Sequence, residues 1–148
     1  MTASSETSSW AETTIASLQA KGHRNSGARR AVVELLGRQD CCLTAQEIFD
    51  QLREEGRRVG IASVYRVLEQ LSKDGFVQRI DIGAGTTRFE PLHADGEHHH
   101  HLVCDDCGRV EAFADEELER ALGKVEQRTG YAVAGHDVVL RGTCDACS

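Results

Sequence analysis

Cys104 and Cys107 form one Cys-x-x-Cys pair, and Cys144 and Cys147 form a second. Each pair places two thiolates on one tight turn. Two such turns supply the four soft ligands of a tetrahedral zinc site. Four thiolates leave no open coordination position, so a zinc held this way would be structural. The competing readings are a redox pair or four unliganded thiols. Thirty-six residues separate the pairs, so a small strand-helix-strand domain has to fill the gap. A run of four histidines, His98, His99, His100 and His101, precedes the first pair. If the run enters a strand, alternate residues face opposite sides. His99 and His101 would then serve one metal site, and His98 and His100 another. A solvated polar loop is the alternative.

The elements that must hold these groups divide the chain in two. Net charge is −7, but it is unevenly spread. Residues 1–90 carry 12 basic and 12 acidic side chains, whereas residues 91–148 carry 5 and 12, with six of the seven histidines. A balanced first half can still show a basic face to nucleic acid. No run reaches the ~18 apolar residues of a membrane span. The polar start at Met1 lacks a signal-peptide profile. A cytoplasmic protein is expected, in which six cysteines mean metal or redox chemistry before disulfides.

Residues 1–9 are Ser/Thr-rich and expected to be disordered. Helical periodicity follows from Trp10 to Ala20, then from Ser26 to a stop at Gly37. Thr44 and Glu47 form a capping box for a third helix, which Gly56 closes. A fourth runs from Ile61 to Lys73, with Val64, Val67, Leu68 and Leu71 inward. Phe76–Ile82 and Thr86–Glu90 make a hairpin around Gly83–Gly85. Helices followed by a hairpin at these lengths describe a winged helix-turn-helix over residues 10–90. An unrelated helical bundle with a trailing hairpin is the alternative. Pro91 opens a polar linker, residues 91–97. Residues 98–148 then form a small α/β domain: strands at His99–Cys104 and Arg109–Phe113, a helix at Glu116–Thr129 with Leu118, Ala121, Leu122 and Val125 inward, and a strand at Tyr131–Arg141. The fold class is α+β.

The outward face of the fourth helix holds Ser63, Tyr65, Arg66 and Gln70. Arg can bond guanine edges, and Tyr and Ser can reach phosphates or thymine methyls. Lys21, Arg24 and Arg29, with His23 and Arg30, lie where they could grip phosphates. A merely solvated face is the bland alternative. Cys41 and Cys42 lie just before the third helix, either as buried apolar residues or with one thiol reaching the histidines.

Three segments carry a resemblance. IASVYRVL at 61–68, HHHHLVCDDCGRVE at 98–111 and GTCDAC at 142–147 resemble the signatures of the ferric uptake regulator family of metal-dependent repressors. The resemblance covers about residues 12–148. It implies a homodimer that binds double-stranded operator DNA, and structural zinc on Cys104, Cys107, Cys144 and Cys147. It implies a sensory site with His99, His101, Cys42 and one or both of Glu90 and His93. It also implies an additional metal site with His98, His100, Glu119 and His136. Cys42 stands where iron regulators often have histidine. A thiolate beside imidazoles favours zinc(II) over iron(II). Peroxide sensors of the family have aspartates where this chain has Glu90 and Ala112, so metal-catalysed histidine oxidation is not expected. Zinc(II) is the expected corepressor of metal-uptake genes, with iron(II) the alternative. No small-molecule substrate is implied.

Two other classes fit less well. A zinc hydrolase would need an open metal position and a general base such as Glu90 or Glu119, yet neither the His-Glu-x-x-His nor the deaminase pattern is present. A structural zinc adaptor would leave Tyr65 and Arg66 beside a wing unexplained.

Overall fold

The computed structural model describes residues 3–24, 26–39, 41–82, 85–92 and 99–148, with side chains from Trp10 onward. His93 and His98 lie outside the described residues. The chain divides into two compact units, Met1–Glu97 and His98–Ser148.

The first unit contains α1 (Ala3–Ala20), α2 (Gly27–Gly37), β1 (Leu43–Thr44), α3 (Ala45–Glu54), α4 (Ile61–Lys73), β2 (Val77–Asp81) and β3 (Thr87–Pro91). Helix α1 extends back to Ala3, through the segment expected to lack structure. Adding turns to an existing helix needs no new nucleus, so polar residues can prolong it. Ser26 caps α2 by accepting the Arg29 N–H at 3.1 Å. Thr44 and Glu47 form the expected capping box on α3, with the Glu47 N–H donating to Thr44 Oγ1 at 3.0 Å. The apolar stripes converge on one core, where Val32, Leu36, Ile48, Leu52, Val64, Leu68 and Leu71 are fully buried. Burial of such side chains stabilises by about 1.5–3 kcal/mol each. Gly75, at φ 80°, turns the chain from α4 into the hairpin, a conformation that costs glycine little.

The hairpin is antiparallel with β3 central, in the order β1-β3-β2. Val77 pairs with Pro91 and Leu43 with Phe89. Pro91 is therefore the last residue of a strand and not the start of a linker. Two-residue β1 does not extend to it, so its missing N–H costs no ladder bond on that side. Trp10 Nε1 donates to the Leu92 carbonyl at 3.0 Å, tying α1 to the end of the hairpin.

The second unit contains β4 (His100–Cys104), β5 (Val110–Phe113), α5 (Glu116–Thr129) and β6 (Val139–Gly142). The sheet order is β5-β4-β6, antiparallel on one side and parallel on the other. Asp115 caps α5 through the Leu118 N–H at 3.0 Å, and Gly130 ends it with φ 74°. Two expectations are corrected here. The last strand starts at Val139, not Tyr131, because only this segment pairs with β4. The stripe of α5 is not buried within the chain, and Val125 is 42% exposed.

Candidate metal centres and nucleic-acid interface

The four-cysteine cluster is assembled by the parallel pairing of β4 with β6. That register sets Cys104 opposite Gly142, which brings the turn after each strand to the same end of the sheet. Each turn closes on its own backbone. The Gly108 N–H reaches the Cys104 carbonyl at 2.9 Å, and the Cys147 N–H reaches the Cys144 carbonyl at 3.1 Å. All four Sγ atoms lie within 4.8 Å of one another, and Cys107 and Cys144 approach to 3.8 Å. A tetrahedron of ~2.3 Å Zn–S bonds has edges of about 3.8 Å. The residues present therefore fit a structural zinc, with no position left open.

The surrounding backbone prepares one ligand. The N–H groups of Cys144 and Cys107 point at Cys104 Sγ, at 3.3 and 3.5 Å, and bring its pKa down from 9.0 to about 6. The Cys147 thiol is pushed the other way, to about 12, by hydrogen bonding to the Cys144 and then the Cys107 thiols. Zinc must displace such protons as it binds. In the metal-free protein the depressed Cys104 pKa stabilises the fold fully above pH 9.0, and this contribution is lost as pH falls through about 6. Zinc affinity should therefore fall as pH is lowered. The plot of its logarithm against pH should steepen by about one proton through pH 6. Competition with a chromophoric chelator measures this. An unchanged slope there would mean that Cys104 is not the pre-ionised ligand.

A second cluster lies at the other end of β4, where the strand begins. His100 Nε2 is 2.5 Å from Glu119 Oε1, and His136 Nε2 is 2.8 Å from Glu119 Oε2. Glu119 lies in the first turn of α5 beside Glu116 and Glu117, where the helix dipole favours negative charge. His100 is 1% exposed and tilts against Phe113 and His136. Two imidazoles and a carboxylate suit a divalent transition metal. The Val138 N–H, however, points at His100 Nδ1 at 3.3 Å. That bond keeps the ring proton on Nε2, toward Glu119. A metal at Nε2 needs the other tautomer, at the cost of the Val138 bond. This site should be weaker than the four-thiol one.

The expected sensory residues divide between the units. In the first, Cys42 is 3% exposed just before β1, and Glu90 on β3 is 5% exposed. A buried carboxylate needs partners. Gln78 Nε2 donates to Glu90 Oε1 at 3.0 Å. The Cys42 thiol is held well above its ordinary range, first by its hydrogen bond with the Cys41 sulfur, which favours the protonated form, and then by burial. In the second unit, His101 is buried on β4 and His99 precedes that strand half-buried.

On α4, Tyr65 is 55% exposed and Arg66 is exposed, with Arg66 donating to Ser63 Oγ at 3.1 Å. Gln70 instead donates to Asp74 at 2.8 Å, beside His23. Lys21 lies over the Phe76 ring. The Arg29 guanidinium donates to the Arg24 carbonyl, while Arg24 itself is exposed. An open groove joins Tyr65 to Gln46 on α3 and to Arg79 and Thr87 on the hairpin. Arg79 and Gln46 escape a reading of α4 alone, since they reach this face only through the fold. Gln78, which orients Glu90, and Arg88, which reaches the Cys42 carbonyl at 3.5 Å and Glu47 at 3.0 Å, were also not singled out from sequence. No described helix is long and apolar enough to cross a membrane.

Comparison with known proteins agrees with this architecture. The profile described as the ferric uptake regulator family matches residues 20–141. A ferric uptake regulation protein of Neisseria gonorrhoeae is 33% identical over 134 residues, covering 90% of this chain and 92% of its own. The Helicobacter pylori ferric uptake regulator, described as having three functional metal binding sites, superposes with a TM-score of 0.80 at 31% identity, over 95% of this chain and 93% of that one. The Vibrio cholerae ferric uptake regulator gives a TM-score of 0.77 at 32% identity, over 86% and 97%. The first unit is thus a winged helix-turn-helix, and the second is the small α/β dimerisation domain carrying a four-cysteine zinc site. With two thirds of its length or more shared in each comparison, the chain belongs to the ferric uptake regulator family, whose members are metal-responsive transcriptional regulators and not enzymes.

Proposed function

We propose that this regulator is a zinc-responsive repressor of metal-uptake genes, which binds palindromic operator DNA as a homodimer in the cytoplasm. The DNA-binding domain would run from residue 10 to the end of the hairpin at Pro91 and Leu92, a hinge would follow up to residue 97, and residues 98–148 would be the dimerisation and metal-binding domain. Ser63, Tyr65 and Arg66 would face bases and phosphates, and Lys21, Arg24 and Arg29 the flanking backbone. The unburied stripe of α5 supports dimerisation, since an amphipathic face needs a partner. The regulatory metal would take Cys42, His99 and His101, with Glu90 or His93 completing the set. His98, His100, Glu119 and His136 would form the additional site. Metal joining the two domains would favour the spacing of paired recognition helices that matches two half-sites.

The observation that carries zinc is the buried Cys42 thiol, because thiolate with imidazole favours zinc over iron(II). The ferric name of the Neisseria relative and the buried carboxylate of Glu90 favour a second reading, an iron(II) regulator. Fluorescence anisotropy on an AT-rich palindrome, with free zinc(II) or anaerobic iron(II) buffered across cytosolic ranges, decides between them. Binding should switch on at trace zinc, with iron needed at far higher levels. Activation by iron at its ordinary free level would overturn the zinc reading. No metal dependence would overturn both.

A further inference from the structure

Cys41 has no place in the ligand set above, yet its thiol lies 3.7 Å from that of Cys42. In an extended strand, neighbouring side chains point to opposite faces. Here the chain bends at Cys41, before β1 begins, and the two sulfurs meet on one side. Their separation matches the ~3.8 Å edge of a zinc–thiolate tetrahedron. It also matches the 3.8 Å between Cys107 and Cys144 in the four-cysteine cluster. The bend is pinned from the sheet by Arg88, whose guanidinium reaches both the Cys42 carbonyl and Glu47. Antiparallel pairing of Leu43 with Phe89 brings Glu90 toward Cys42 one step along the same register. The edge of the wing sheet thus gathers two thiols and a buried carboxylate.

We infer that Cys41 is a second thiolate ligand of the regulatory metal, so that Cys41 and Cys42 bind it as a pair. This rests on the reading that Cys42 ligates that metal. With His99 and His101 of the proposed set, the donors become two sulfurs and two imidazole nitrogens, a tetrahedral combination typical of zinc. Neither Glu90 nor His93 is then needed as a ligand. The carboxylate held by Gln78 stays next to the metal and not on it. Each thiol gives up its proton to solvent on binding, and two thiolates neutralise the dication. Iron(II), which prefers more and harder ligands and binds such sites more weakly, is disfavoured.

The test uses full-length protein carrying one zinc per chain, titrated with cobalt(II). Cobalt binds such ligands more weakly than zinc, so the four-cysteine zinc should stay in place; zinc content measured after titration verifies this. Sulfur-to-cobalt charge-transfer absorption counts the thiolates at the regulatory site. Cys41→Ser and Cys41→Ala should each lower that absorption by about half and weaken zinc binding there by more than about tenfold, a loss at least as large as that from removing a ligand's supporting contact. Circular dichroism checks that the variants fold. Full absorption in both Cys41 variants, with loss in Cys42→Ser, would overturn the inference and leave the zinc reading standing. No charge-transfer band in the unmodified protein would overturn both readings.

Discussion

Cys104→Ser should unfold the second unit and leave the first folded. The two units draw on different sources of stability. Every residue of the main apolar core, from Trp10 to Phe89, lies in the first. In the second, the buried side chains among the described residues are His100, His101, Val103 and Cys104, and α5 buries none of its own. A unit of about 50 residues with so little core sits near the size at which domains need a metal or a partner. Structural zinc contributes about 10–16 kcal/mol to the folding of zinc-finger peptides. Cys104 is also the sulfur that two backbone N–H groups hold as thiolate, and it ends the central strand of the sheet. Serine offers zinc a poor ligand and breaks the set of four. The variant should lose its tightly held zinc, lose dimerisation by sedimentation, and show a helix-rich transition from the first unit alone. Retention of zinc and of the dimer would show that the second unit is held by packing, against this account.

How much of this was legible beforehand depends on whether a feature is local. The capping box at Thr44, the stop at Gly75 and the helix at Glu116–Thr129 rest on residues a few positions apart, and their physics is in the sequence. The cysteine pairs are local too, and their spacing announced the zinc site before any sheet was known. What failed needed a partner in space. Residues 131–138 have strand-like composition but stay irregular, because β4 offers a parallel edge only from Val139. Helix α5 has an apolar stripe with nothing in its own chain to cover it. Gln70 lies on the predicted outward face of α4, but Asp74 and His23 draw it back. The closeness of Cys41 and Cys42 depends on a bend pinned by Arg88 from another strand. The exchange of Pro91 from linker to strand likewise required knowing that β1 begins only at Leu43.

Cys42→Ser should uncouple metal from DNA without harming the fold. The change replaces one buried atom by a smaller one. Its cost, about 1–3 kcal/mol for burying a hydroxyl without a good partner, falls on the unit with the large core. The functional loss is of another kind. If zinc raises operator affinity ten- to hundredfold, the coupling is ~1.4–2.7 kcal/mol, and operator DNA must tighten zinc binding by the same factor. That coupling exists only while the ligands hold metal in the DNA-competent arrangement. An alcohol is a poor substitute for a thiolate, so the variant should need far more free zinc before anisotropy rises. The reciprocal gain in zinc affinity on adding DNA should shrink in step. Tyr65 and Arg66 are untouched, so binding at low salt without added metal should match the unmodified protein. Equal zinc thresholds for the two proteins would remove Cys42 from the sensory site. An iron(II) response that survives the substitution would hand that site to Glu90 and the histidines.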